Sequence, residues 1–232
     1  MKRFYTLASA TIENTISLDG RPLKTPLKAP LMLPSTALAE AVAAEWQAQG
    51  ETINPATMIL TKLANTAIDK TMRERGRIVS EVVGYAGSDL VCYRSMDPAA
   101  LLVRQIAAWD PVLNWALAAL DAAFVPVLGI VHQPQSPTAL VAFRTALEAE
   151  TAWQLTAIHN LTTLSGSALL AMMIARGATT AETAWAAVHV DEDWQIAQWG
   201  EDDGAIVRRA GRNAEFLACC RFMALATIPP AS

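Results

Sequence analysis

The chain has 232 residues, enough for one large domain or two small ones, and 53% of them are hydrophobic against 17% charged. Alanine and leucine dominate and mean hydropathy is +0.25, which reads as buried helix and excludes a disordered chain. A net charge of −4, with no basic run interleaved with aromatics, argues against nucleic acid as a partner.

The N-terminus has no secretory pattern and passes directly into strand-like alternation, so a reducing, cytoplasmic setting is expected. Three cysteines, two of them adjacent (Cys219 and Cys220), make no disulfide framework. Alternation up to Leu18 runs into Asp19-Gly20, a two-residue hairpin signal, because both turn positions favour positive φ. Pro22, Pro26, Pro30 and Pro34 then restrict the chain to short, edge-like strands. Ser35 or Thr36 is expected to cap a helix that ends near Gln49, with Gly50 as its stop.

The turn at Gly50–Pro55 is the best boundary in the chain. It predicts an α+β domain over 1–55, small, antiparallel and β-rich with one helix, and a larger, mainly helical domain over 56–232. Apolar residues at helical spacing from Met58 to Ile68 predict one helix, and Arg73–Ala86 a second. Asp97-Pro98 should open a long helix through Trp109 and Trp115, kinked or split at Pro111. The β-branched run Phe124–Val131 is expected as a strand returning to the N-terminal sheet. Helices follow at Pro137–Glu150, Thr151–Arg176, Thr180–His189 and Asp203–Ala226. The longest apolar run, Leu164–Ala175, falls short of the ~18 residues a membrane span needs and reads as a buried core helix.

The most informative stretch is Val190–Asp203, which places two tryptophans among six carboxylates within fourteen residues. Asp191, Asp193 and Gln195 mimic the start of a calcium loop, but Ile196 stands where the loop requires glycine. The three histidines have no second ligand at zinc spacing, so no metal site is expected. No phosphate-cradling glycine motif and no nucleophile elbow occur, which argues against nucleotide binding and serine hydrolysis. Three readings of the acids remain: an acid–base pair of Glu201 and Asp202 with His189, plain helix-start acids in a scaffold protein, or a protein-binding face. If Val190–Trp199 is helical, Trp194 and Trp199 point about 140° apart and both act as core anchors. That leaves Glu201, Asp202 and Asp203 as the accessible acids. Trp194, Trp46 and Trp109 are expected to be structural anchors.

Motifs spread along the chain carry a resemblance. They are Arg3–Tyr5 (RFY), Leu18–Pro26 (LDGRPLKTP), Ala44–Trp46 (AEW), Leu60–Asp69 (LTKLANTAID), Tyr85–Arg94 (YAGSDLVCYR) and Trp109–Pro111 (WDP). His159–Ser167 (HNLTTLSGS) and Asp191–Asp203 (DEDWQIAQWGEDD) complete the series. In this order they resemble the ATP-twelve family, assembly chaperones of the F-type ATP synthase. The resemblance implies a two-part fold, no catalysis and no bound nucleotide; no cofactor and no insertion into a membrane are expected. It implies a partner, the unassembled alpha subunit, and a functional acid after the second tryptophan, here Glu201. It also implies a bacterial member, since mitochondrial relatives carry a targeting extension ahead of the RFY motif. The partner-binding expectation therefore rests on Trp199, Glu201, Asp202 and Asp203.

Overall fold

The structure is a computed structural model, and it describes residues 1–227. A small antiparallel sheet at the N-terminus is followed by a mostly helical chain. The chain divides into two compact units. The first comprises Met1–Arg75 with Thr151–Ala157 and the segment from Ala218 onward; the second comprises Gly76–Glu150 and Ile158–Leu217. This division keeps the first helix after Pro55 with the N-terminal strands, whereas the sequence reading assigns it to the helical domain.

In the first unit, β1 (Ala8–Ala10), β2 (Ile16–Leu18) and β3 (Arg21–Pro22) form an antiparallel sheet in that order. The register pairs Ala8 with Leu18 and Leu18 with Arg21. Asp19 and Gly20 close the β2–β3 turn at φ 48° and 79°, the conformation their sequence favours. Helix α1 (Thr36–Gln47) is capped by Ser35, whose hydroxyl accepts from the Leu38 N–H at 3.1 Å. It buries Leu38, Val42 and Ala43 in the same core as Ile16 and Leu18. Helix α2 (Ile59–Thr66) has no cap of its own. Glu45 of α1 supplies one instead, accepting from the N–H groups of Leu60 and Thr61 at 2.7 and 2.8 Å. A π-helical turn, Ala67–Thr71, follows and presents Asp69.

The second unit begins with α3 (Arg75–Ala86), β4 (Tyr93–Arg94) and α4 (Ala99–Leu120). Pro98 is the residue before α4 rather than its first. Pro111 does not split α4, which runs unbroken through it although the ring removes the donor to the Ala107 carbonyl. The run after Phe124 does not return to the N-terminal sheet. Its ordered part, β5 (Val127–Leu128), pairs in parallel with β4. Pro126 removes a ladder donor and Gly129 turns at φ 85°, so only two residues remain for pairing. The Val125 N–H and carbonyl are taken by the Gln135 side-chain amide at 2.8 and 2.9 Å. A strand that short carries too little pattern to fix its partner.

Helix α5 (Pro137–Glu148) precedes α6 (Ala152–Ser165) and α7 (Ala168–Ala175). The last two were expected as one helix. Gly166 takes φ 72° and ends α6, and Ser167 opens α7 by accepting from the Leu170 N–H at 3.1 Å. The completely buried Asp89 adds a second cap, accepting from the Leu169 N–H at 3.0 Å. Helix α7 is buried through Ala168–Met172, as its apolar sequence requires. Helices α8 (Ala181–Val188), α9 (Val190–Trp199) and α10 (Asp203–Ala226) follow. No helix among the described residues is long and apolar enough to cross a membrane.

Candidate functional site

Helix α9 starts with three acids in its first turn, where the helix dipole favours negative charge. Two of them are spent within the second unit. Asp191 Oδ1 accepts from Gln105 Nε2 at 2.7 Å, and Asp193 Oδ1 pairs with Arg209 Nη2 at 2.5 Å. Glu192 Oε2 lies 3.5 Å from His189 Nε2. His189 is buried, with its ring 3.9 Å from that of Trp185, and its Nδ1 faces the Trp185 carbonyl at 2.8 Å. Burial, the largest cause, holds its pKa below the usual histidine value.

The two tryptophans of α9 separate sharply. Trp194 is half-buried, with the Arg104 guanidinium 4.8 Å from its ring. Trp199 is 79% exposed. It is therefore no core anchor, and α9 contains no fully buried residue. The helix is not wedged between apolar neighbours, so both of its sides need not be apolar. Of the other tryptophans named from sequence, Trp109 is 1% exposed and donates from Nε1 to the Ala187 carbonyl at 2.6 Å. Trp46 is half-buried, 5.7 Å from the Tyr5 ring, with its carbonyl accepting from the Tyr5 hydroxyl at 2.6 Å.

Gly200 ends α9 at φ 82°, and the chain turns through Glu201 and Asp202 into α10. Asp202 Oδ1 accepts from the Ala205 N–H at 2.9 Å and so caps α10. Glu201, Asp202 and Asp203 are all exposed. Glu201 borders a shallow recess of about 280 Å³ together with Trp185, Arg209 and Asn213. One turn into α10, Ile206 and Val207 are exposed, the latter at 72%. The loop thus joins an exposed indole, three exposed acids and two exposed aliphatic side chains. Sequence reasoning missed Ile206 and Val207; the signal was two branched apolar residues beside Arg208 and Arg209 near a helix start.

Exposed apolar side chains and acids this close in the chain suit protein recognition. It does not suit the acid–base reading, which needs Glu201 and Asp202 to converge with His189. The nearest carboxylate to His189 Nε2 is Glu192, while Glu201 and Asp202 face solvent. Among the described residues, no group of three His, Cys, Asp or Glu side chains is placed to hold a metal ion.

The profile of the ATP12 chaperone protein family matches residues 2–117. The chain belongs to the ATP12 chaperone family. The crystal structure of Atp12 from Paracoccus denitrificans superposes with a TM-score of 0.90 at 38% identity, covering 97% of this chain and 98% of that one. A lysine-for-aspartate mutant of the same Paracoccus protein matches equally well. A chaperone candidate from Agrobacterium tumefaciens superposes at 0.91 with 43% identity, over 97% of this chain and 86% of that one. The family profile ends within α4, so the exposed loop at Trp199–Asp203 lies outside it, while the structures match 97% of the chain. The small strand sheet followed by helices is the architecture of the family, and its role is that of a chaperone.

Proposed function

We propose that this chain is an assembly chaperone of the F-type ATP synthase that binds the unassembled alpha subunit until beta replaces it. The observation that carries the reading is the exposed Trp199, in a chain of the ATP12 family, flanked by Glu201–Asp203 and the apolar shoulder of Ile206 and Val207. An unassembled alpha subunit exposes apolar surface that its neighbours later cover, and patches of that kind drive aggregation. A partner that covers the patch keeps the subunit soluble by mass action, and beta releases it by competition. Trp199 supplies buried apolar area at the contact, and the acids steer a basic face of alpha into register.

Co-expression with the alpha subunit tests this directly. Soluble alpha is expected to appear and to co-purify with the chain. Trp199→Ala and Glu201→Lys are each expected to keep the parent's melting temperature, because neither side chain is buried. Each should weaken capture about tenfold or more, the loss typical of a central interface residue. Alpha that still aggregates beside folded chaperone would refute the partner. Capture unchanged in both variants would refute the surface.

A further inference from the structure

The N-terminal unit carries a cleft whose charge opposes that of the chain as a whole. Residues 1–34 hold five cations (Lys2, Arg3, Arg21, Lys24, Lys28) and two acids (Glu13, Asp19), a balance of +3 in a chain of net −4. Arg21, Lys24 and Lys28 line one cleft of about 520 Å³. Its floor is apolar, with Tyr5 and Leu18 buried and Leu23 half-buried, and Phe4 stands at its edge 64% exposed.

The charges at the cleft are of two kinds. Asp19 is spent on the turn: its carboxylate accepts from the Leu7 and Thr6 N–H groups, which hold it below the usual carboxylate range. Arg3 is spent likewise, donating to the carbonyls of Tyr5, Thr6 and Gln49. Arg21, Lys24 and Lys28 make no ion pair among the described residues. The loop bearing the two lysines is nevertheless pinned. Thr25 Oγ1 donates to Asp69 Oδ1 at 2.7 Å, and the Leu27 N–H donates to Oδ2 at 3.0 Å. Lys28 sits on that loop at φ 69°, a left-handed conformation that favours glycine. Lys28 therefore projects its side chain at the cleft from a fixed loop.

We infer that this cleft takes an acidic, extended segment of a partner protein, seating one apolar side chain between Phe4 and Leu23. Charge complementarity selects the occupant: three cations against the one carboxylate of Asp19 leave the cleft net positive, which matches carboxylates flanking an aromatic or aliphatic residue. A bilayer would meet protruding side chains rather than a concave cleft, and nucleic acid would need a longer basic track. This inference stands apart from alpha capture through Trp199, and either can fail alone.

The probe is a fluorescein-labelled peptide of Glu and Gly with one central Phe, followed by anisotropy with the full chain. A Gln-for-Glu peptide is the control. Binding of the Glu peptide is expected to fall with added salt and to drop about tenfold in the combined Arg21→Glu, Lys24→Glu, Lys28→Glu protein, as lost complementarity requires. Phe4→Ala should weaken it at any salt concentration. Lys28→Gly removes one charge while relieving the left-handed backbone, so it should bind several-fold more weakly with an equal or higher melting temperature. Equal binding of the Glu and Gln peptides, or an unaltered affinity in the combined variant, would overturn the inference. Preferential capture of phosphatidylserine vesicles would overturn it in favour of a lipid surface. A mass that grows with concentration and reverts in the combined variant would assign the cleft to a second copy of the chain instead.

Discussion

Asp89 is fully buried, and its carboxylate receives N–H groups from Val91 and Leu169. Burial pushes its pKa up to about 6 from an ordinary 3.8; the Ser167 hydroxyl and the backbone donors pull the other way without cancelling that cost. The folded protein therefore holds this proton more tightly than the unfolded chain does. The stability linked to Asp89 is fully present below about 3.8 and is lost as pH rises through about 6. Across that window the loss is on the order of 3 kcal/mol. Asp89→Asn should flatten the pH dependence of urea unfolding there, and identical slopes in parent and variant would refute the assignment. Trp109 and Trp199 make the same point about residue type. One indole is sealed with its N–H on the Ala187 carbonyl, the other is open to solvent, and neither burial follows from the residue itself. What decides is whether the neighbouring turns bring apolar partners, and around Trp199 they bring glycine and acids.

At the level of elements, conformational signals at single residues were the most legible part of the sequence. Asp19-Gly20 specified its turn and Ser35 its cap, because each acts through the adjacent backbone. The break at Gly166 between α6 and α7 was not read, because the apolar periodicity around it runs on as one helix. A paired substitution measures this. Gly166→Ala meets only an ordinary contact at Leu90 Cβ, 3.8 Å away, so its cost is the left-handed strain, about 1–2 kcal/mol. Gly84→Ala, past the first turns of α3 with nothing near its added methyl, should instead raise stability by about 0.5–1 kcal/mol. Chemical denaturation of both proteins checks the opposite signs. Pairing between distant segments was not legible: β5 met β4 rather than the N-terminal sheet because two residues carry no register. The Glu45 cap on α2 was hidden for the same reason, since its carboxylate acts fifteen residues away.

For the whole molecule, the charge is sorted along the chain rather than spread. The first 34 residues carry +3, while Val190–Asp203 carries six acids and no cation. Two surfaces of opposite sign suit a protein that meets others through complementary fields. The proposed capture of alpha through the Trp199 face should accordingly show an association rate that falls with salt and a dissociation rate that changes little. Stopped-flow mixing at two ionic strengths separates the two, and a salt effect confined to dissociation would argue against steering by Glu201–Asp203. The acids were legible from sequence as a group, but which of them were available was not. Asp191 and Asp193 are consumed by Gln105 and Arg209, residues brought in from α4 and α10.

Of the seven tryptophans, Trp199 alone is exposed among the described residues. Its excited state therefore relaxes in water, while Trp109 is sealed and the other indoles are half-buried. An aqueous quencher such as iodide should dim the red-shifted component of the emission first and the half-buried indoles less. A partner that covers the face would shift that component to the blue and shield it from quencher. The chain carries its own occupancy signal, at the residue on which its proposed task depends.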